Sequence, residues 1–256
     1  MAQYPAEFGL IGTTHFWDYR TSSYASIGRL RDRGPDYSQE DIVWHAWQSI
    51  CRLYFPEISE VANGDRWETV REAYRGTARA PSDFRPDIIT IKFVSTGVPG
   101  HFRERDYLWI ECKASSRDHP FEWKTSMREA IAKLNGAHPD RELLLLLAVG
   151  HKWMWFFWDP NHTLRSGQPL CMATANGASW RIDGRIKQPN NVPWVDSRGR
   201  INTPDAMSID MWSTVTVGHG ANAEQRIANW RGLEMLEEFL VAIRATPLLG
   251  FNPAHF

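Results

Sequence analysis

The chain is short of cysteine, of long apolar runs and of charge of one sign, and each shortage excludes a class of protein. Its only cysteines are Cys51, Cys112 and Cys171, at no spacing that suits a metal. An odd, sparse set of this kind fits reduced thiols and an intracellular protein, cytoplasmic or nuclear, not a disulfide scaffold. No uninterrupted apolar stretch approaches the length that spans a bilayer, so no membrane partner is expected. The opening residues, MAQYPAEFGLIG, lack a basic segment followed by a long apolar one, so no signal peptide is expected either. Without a secretory signal, the sequon Asn161-His162-Thr163 is expected to stay unmodified. Lys and Arg number 29 against 30 Asp and Glu, a net charge of −1. That balance speaks against a strong non-specific nucleic-acid binder, which carries a marked basic excess. There is no repeat, no low-complexity tract and no clear linker. At 43% hydrophobic and 23% charged over 256 residues, the composition is that of a globular protein with room for one large domain or two small ones.

What is present is a pair of charged motifs set on apolar runs. Arg85-Pro86-Asp87 opens the run Ile88 to Val94, and Glu111-Cys112-Lys113 closes the run Tyr107 to Ile110. Both runs read as strands. In a strand, residues two apart share a face, so Glu111 and Lys113 project together, roughly 7 Å apart along the chain. Leu108, Ile110 and Cys112 take the other face. Two converging carboxylates, Asp87 and Glu111, make a hard-oxygen pocket suited to Mg²⁺ or Mn²⁺. A lysine beside them can orient or deprotonate a water, a combination that suits metal-assisted attack on a phosphodiester.

On these residues the chain resembles the PD-(D/E)XK nuclease superfamily, the restriction-endonuclease-like fold. Asp87 matches its PD aspartate, and Glu111 and Lys113 match its E-x-K pair. Pro-Asp also occurs at 35–36, 139–140 and 204–205, and Glu122-Trp123-Lys124 is a second E-x-K. Only the 86–87 and 111–113 pair falls on strand-like runs in the right order. The resemblance covers roughly residues 38–158. It implies an α/β core of order α-β-β-β-α-β, a mixed sheet flanked by helices. It further implies Asp87 and Glu111 as metal ligands with the Cys112 carbonyl, Lys113 as the residue that positions and activates water, and a 5′-phosphate product. DNA is favoured over RNA by the resemblance alone.

The periodicity along the chain agrees with that order. Residues 1–37 read as an irregular N-terminal arm. Ser38 reads as the N-cap of a helix carrying Val43, Ala46, Trp47, Ile50 and Tyr54 on one face, stopped by Pro56. Residues 66–75 fit a helix through Trp67, Val70 and Tyr74, and fit a strand equally well. After Lys113 the period changes: Trp123, Met127, Ala130, Ile131 and Leu134 mark an amphipathic helix ended by Gly136 and Pro139. Leu143–Val149 is apolar throughout, as a strand buried on both faces is, and strand–helix–buried strand is a parallel βαβ unit. Gly150-His151 reads as a tight turn into an antiparallel strand, Lys152–Trp158. Residues 159–256 read as an irregular β extension, with short strands at 178–187 and 211–217. A long helix follows, capped by Asn222 and striped by Ile227, Trp230, Leu233, Leu236, Leu240 and Ile243.

The resemblance also implies a further acidic ligand from the first core helix. Glu40 is the candidate because it shares the apolar face of Val43, Trp44 and Trp47, where an unpartnered acid is costly; a carboxylate favoured by the helix N-terminus explains it equally. Glu72 is the runner-up. Trp44, Trp47, Trp153 and Trp230 fall on packing faces, while Trp17, Trp180 and Trp194 are candidates for exposure. His119 and Asp83 read as loop or turn residues. The arginines cluster at 29–33, 71–85 and 103–105, enough for a local basic groove. The expectation is a Mg²⁺- or Mn²⁺-dependent nuclease that acts on nucleic acid. The alternative is an inactive module of the same fold that binds nucleic acid or a protein partner. A homodimer is compatible with either.

Overall fold

The computed structural model describes residues 14–58, 66–73, 85–98, 100–161, 185–189, 192, 194–196, 201–216 and 224–245. Two helices come first, α1 (Ser22–Arg33) and α2 (Asp41–Tyr54). They are followed by β1 (Arg66–Arg71), β2 (Ile88–Ser95) and β3 (Phe102–Lys113). Next come α3 (Pro120–Ala137), β4 (Leu143–Val149) and β5 (Lys152–Trp158). Two-residue strands β6 (Ile186–Lys187) and β7 (Met207–Ser208) lead to a hairpin, β8 (Trp212–Thr216) and β9 (Glu224–Ala228), and to α4 (Trp230–Ala245).

The chain is thus α/β, with an open, mixed seven-stranded sheet flanked by helices. Its strands run β1-β2-β3-β4-β5-β6, and β7 joins β5. Among the described residues, β3 and β4 are the pair that runs parallel; the other sheet pairings are antiparallel. The parallel pair needs a crossover, and α3 supplies it. α2 packs against β1, β2 and β3, and α3 against β3 and β4. All seven residues of β4 are buried, as its unbroken apolar run requires. Each Leu there contributes on the order of 1.5–3 kcal/mol by leaving water. Among the described residues no helix is long and apolar enough to cross a membrane.

Several expectations change. The N-terminal arm is not irregular throughout: α1 occupies Ser22–Arg33. Thr21 Oγ1 caps it, accepting the Tyr24 N–H at 3.1 Å. Its buried stripe is only Ser23, Ile27 and Leu30, so its stability comes from packing on α2 and little of it shows in the sequence. The N-cap of α2 is Glu40, not Ser38. The ambiguous 66–75 stretch contains a strand, Arg66–Arg71, fixed by its ladder with β2. α4 begins at Trp230, and Ile227 belongs to β9. Asn229 Nδ2 pins the entry to α4 by donating to the carbonyls of Ser208 (2.7 Å) and Asp210 (3.0 Å). Asn222, Trp180 and residues 178–184 lie outside the described residues. Trp17 and Trp194 are buried, not exposed; Trp194 packs against Trp153, Trp155 and Phe156.

Candidate active site

Asp87 is the residue immediately before β2. The antiparallel ladder between β2 and β3 stops at Ile88 against Ile110, so the next position sets Asp87 opposite Glu111. Strand pairing no longer reaches the Cys112 N–H there, and the Asp87 carboxylate takes it, Oδ2 accepting at 2.6 Å. Among the described residues no hydrogen bond uses Oδ1. The Asp87 carbonyl accepts the Glu72 N–H at 3.2 Å, which ties the end of β1 to the same place. Burial raises the Asp87 carboxyl above its usual range, against the lowering effects of the Cys112 N–H, Lys133 and Lys113.

Glu111 is 1% exposed. Both of its oxygens hold hydrogen bonds: Oε1 accepts from Trp109 Nε1 at 2.6 Å, and Oε2 from Lys133 Nζ at 2.7 Å. Burial, and then the Asp87 carboxylate nearby, push its pKa up to about 7 despite those donors. Lys113 ends β3 on the same strand face. Its Nζ lies 3.4 Å from Glu129 Oε2 and 3.8 Å from Glu40 Oε1. Burial works to lower the lysine, but Glu40, Glu129, Asp87 and Glu111 outweigh it and hold Lys113 above its usual value. It is therefore an ammonium at neutral pH.

The structure brings Asp87, Glu111 and Lys113 together and adds Glu40 through Lys113. Glu40 makes no side-chain cap bond at the start of α2, and its half-buried carboxylate faces Lys113. Burial raises its pKa, Lys113 opposes that, and Asp87 adds to it. Among the described residues no three His, Cys, Asp or Glu side chains gather closely enough to hold an ion by themselves. Glu40 thus stands as a partner of Lys113 rather than as a third side chain beside Asp87 and Glu111. The Cys112 thiol is fully buried, and burial, followed by Asp87 and Glu111, pushes it well above the ordinary thiol range. A protonated thiol is not a metal ligand, so only the Cys112 carbonyl is a candidate. Glu72 is exposed, with φ 49°, and reaches Asp87 through its backbone. His119 is an exposed residue at the start of α3, stacked on Phe121. Asp83, Arg75 and Arg79 lie outside the described residues. Arg71 lies over Trp44 and Arg105 over Tyr107, so part of the expected basic groove is packed on aromatic rings.

Three residues of the site were not foreseen: Trp109, Lys133 and Glu129. Trp109 precedes Glu111 by two and so shares its strand face. Glu129 and Lys133 are four apart on α3, bordering its apolar stripe, which was the available signal for a charged pair facing the sheet. Comparisons with protein-family models, with curated proteins and with solved structures found no match.

Proposed function

We propose that the chain is a metal-dependent nuclease that hydrolyses phosphodiester bonds of nucleic acid, DNA before RNA, with Mg²⁺ or Mn²⁺ as cofactor. The observation that carries this reading is the meeting of Asp87 and Glu111 at the ends of adjacent strands, with Lys113 on the same strand as Glu111. The element order α2-β1-β2-β3-α3-β4, with only β3 and β4 parallel, is consistent with a restriction-endonuclease-like core.

The residues fit a hard divalent ion. Glu111 is a buried carboxylate and Asp87 a half-buried one; their charges oppose each other, and a cation between them removes that conflict. They would hold the ion with the Cys112 carbonyl as a third oxygen. When bound, such an ion lowers the pKa of a water and offsets charge on the phosphate. Lys113, as an ammonium, has no lone pair with which to take a proton. Its part is to orient the attacking water by donating to it and to stabilise negative charge as it builds on the phosphate. Glu40 and Glu129 keep that ammonium charged and aimed. The test is cleavage of a mixed DNA and RNA panel in Mg²⁺, in Mn²⁺ and in EDTA. Cleavage with either metal and none in EDTA is expected; equal activity in an Asp87→Ala, Lys113→Ala variant would place the chemistry elsewhere.

A second reading, a non-catalytic module of the same fold that binds nucleic acid or protein, draws on one observation. Both oxygens of Glu111 are already engaged, by Trp109 and by Lys133. Nucleic-acid binding without cleavage in any metal would select it.

A further inference from the structure

α3 presents two opposite charges to two opposite charges on β3. Glu129 meets Lys113 at 3.4 Å, and Lys133 meets Glu111 at 2.7 Å. Along β3 the order is acid then base, and along α3 it is also acid then base. The two pairs match because the crossover helix runs back against the strand. Of the two lysines, Lys133 is the one in direct contact with a candidate metal ligand. Its ammonium sits on Oε2 of a carboxylate that is 1% exposed, while Trp109 holds Oε1.

We infer that Lys133 takes the place of a second cation, so that the site accepts one divalent ion where a two-metal site would hold two. The inference rests on the nuclease reading above. Space argues for it. In two-metal sites the ions lie about 3.5–4 Å apart and share carboxylate oxygens. A metal–oxygen bond is about 2.1 Å, and an ammonium 2.7 Å from Oε2 already occupies one approach to that oxygen and sets a like charge beside any ion that would share it. Charge argues for it as well. Asp87, Glu111, Glu40 and Glu129 stand against Lys113 and Lys133, a surplus of two negative charges when all are ionised. One divalent ion matches that surplus; two would overshoot it inside a partly buried site. Asp87 Oδ1, which no described hydrogen bond uses, is the oxygen open to the single ion. Lys133 is a positioning residue in this account: it acts through Glu111 and sets the number of ions, without touching the substrate.

The experiment is Mn²⁺ binding to the full chain, followed by calorimetry and by electron paramagnetic resonance, with no nucleic acid present. The wild type should bind one Mn²⁺ per chain and show an isolated-ion spectrum. Lys133→Met keeps the straight stem and removes the charge; it should bind two and show a spin-coupled pair. Lys133→Arg should stay at one. A wild type that binds two ions with a coupled spectrum overturns the inference while leaving the nuclease reading intact, and this measurement needs no variant to fold. A Lys133→Met protein that is folded and still binds a single ion also overturns it. A wild type that binds no Mn²⁺, or whose Mn²⁺ survives Asp87→Ala, defeats both the inference and the reading beneath it.

Discussion

At Glu111 three neighbours contend over one proton. Burial and Asp87 favour the neutral acid; Lys133 and Trp109 favour the carboxylate; the first two prevail, and the group sits at about 7 against about 4.5 in an unfolded chain. The folded state therefore binds a proton that the unfolded state has released, and that contribution favours folding fully below about pH 4.5 and is lost as pH rises through about 7. With divalent ions chelated, the thermal midpoint should fall across that window, and Glu111→Gln, which does not titrate, should flatten it. A wild-type midpoint that rises there, with no change in the variant, would mean that Glu111 is ionised in the fold. Asp87 and Lys113 separate by role. If the proposed nuclease reading holds, Asp87→Ala should lose both Mn²⁺ binding and cleavage, because it removes a proposed ligand and leaves the Cys112 N–H without its acceptor. Lys113→Ala should bind Mn²⁺ within a few-fold of wild type yet lose cleavage by about 10²-fold or more, the scale of a lost charge-stabilising donor. Parallel titration and cleavage assays decide it; a Lys113→Ala variant that cleaves at the wild-type rate would remove Lys113 from the proposed chemistry.

Among the elements, those that carry one clear period were legible. β4 has no polar residue to confuse it, and the stripe Trp123 to Leu134 permits only a helix. Glu111 and Lys113 were legible because strand alternation puts them on one face; Asp87 was picked out by its motif at the mouth of β2, and the β2–β3 register sets it opposite Glu111. β1 was not legible, because Trp67, Val70 and Tyr74 fit the helical period and Val70, Glu72 and Tyr74 fit the strand period until β2 supplies a partner for each residue of Arg66–Arg71. α1 and the start of α4 depend on contacts made by other elements, and so does the facing of Glu129 and Lys133, which is set by how far α3 is rotated over β3. The turn between β4 and β5 ties these elements to the site. Gly150 has φ +57°, its N–H donates to the Lys113 carbonyl at 2.9 Å, and a Cβ there would lie 2.7 Å from Ser115 Oγ. Gly150→Ala should therefore cost roughly 1–3 kcal/mol of stability and push on the segment just after Lys113. Denaturant unfolding reads the first effect and cleavage rate the second; a variant unchanged in both would show that the turn is free to move.

Across the whole molecule, the parts before and after the sheet are held to it by buried polar and aromatic contacts. Glu237 of α4, 4% exposed, accepts from Tyr54 OH at 2.5 Å and pairs with His15 Nδ1 at 2.9 Å. Phe239 stacks on Trp155 with ring centroids 4.3 Å apart. A chain ended after Trp158 keeps every residue of the candidate site but loses these partners, leaving Tyr54 and Trp155 uncovered. It should lose cooperative thermal unfolding, seen by calorimetry; a sharp transition near the full-length midpoint would show that residues 1–158 fold alone. The outer side of β5 has a consequence of another kind. β6 pairs with Phe157 and Trp158, β7 pairs with Lys152 and Trp153, and Trp194 lies against the rings between. Stripped of these, a strand reading Trp-Met-Trp-Phe-Phe is an apolar edge ready to recruit a second chain. Aggregation would then begin with the peeling of two short strands while the rest of the sheet is still folded.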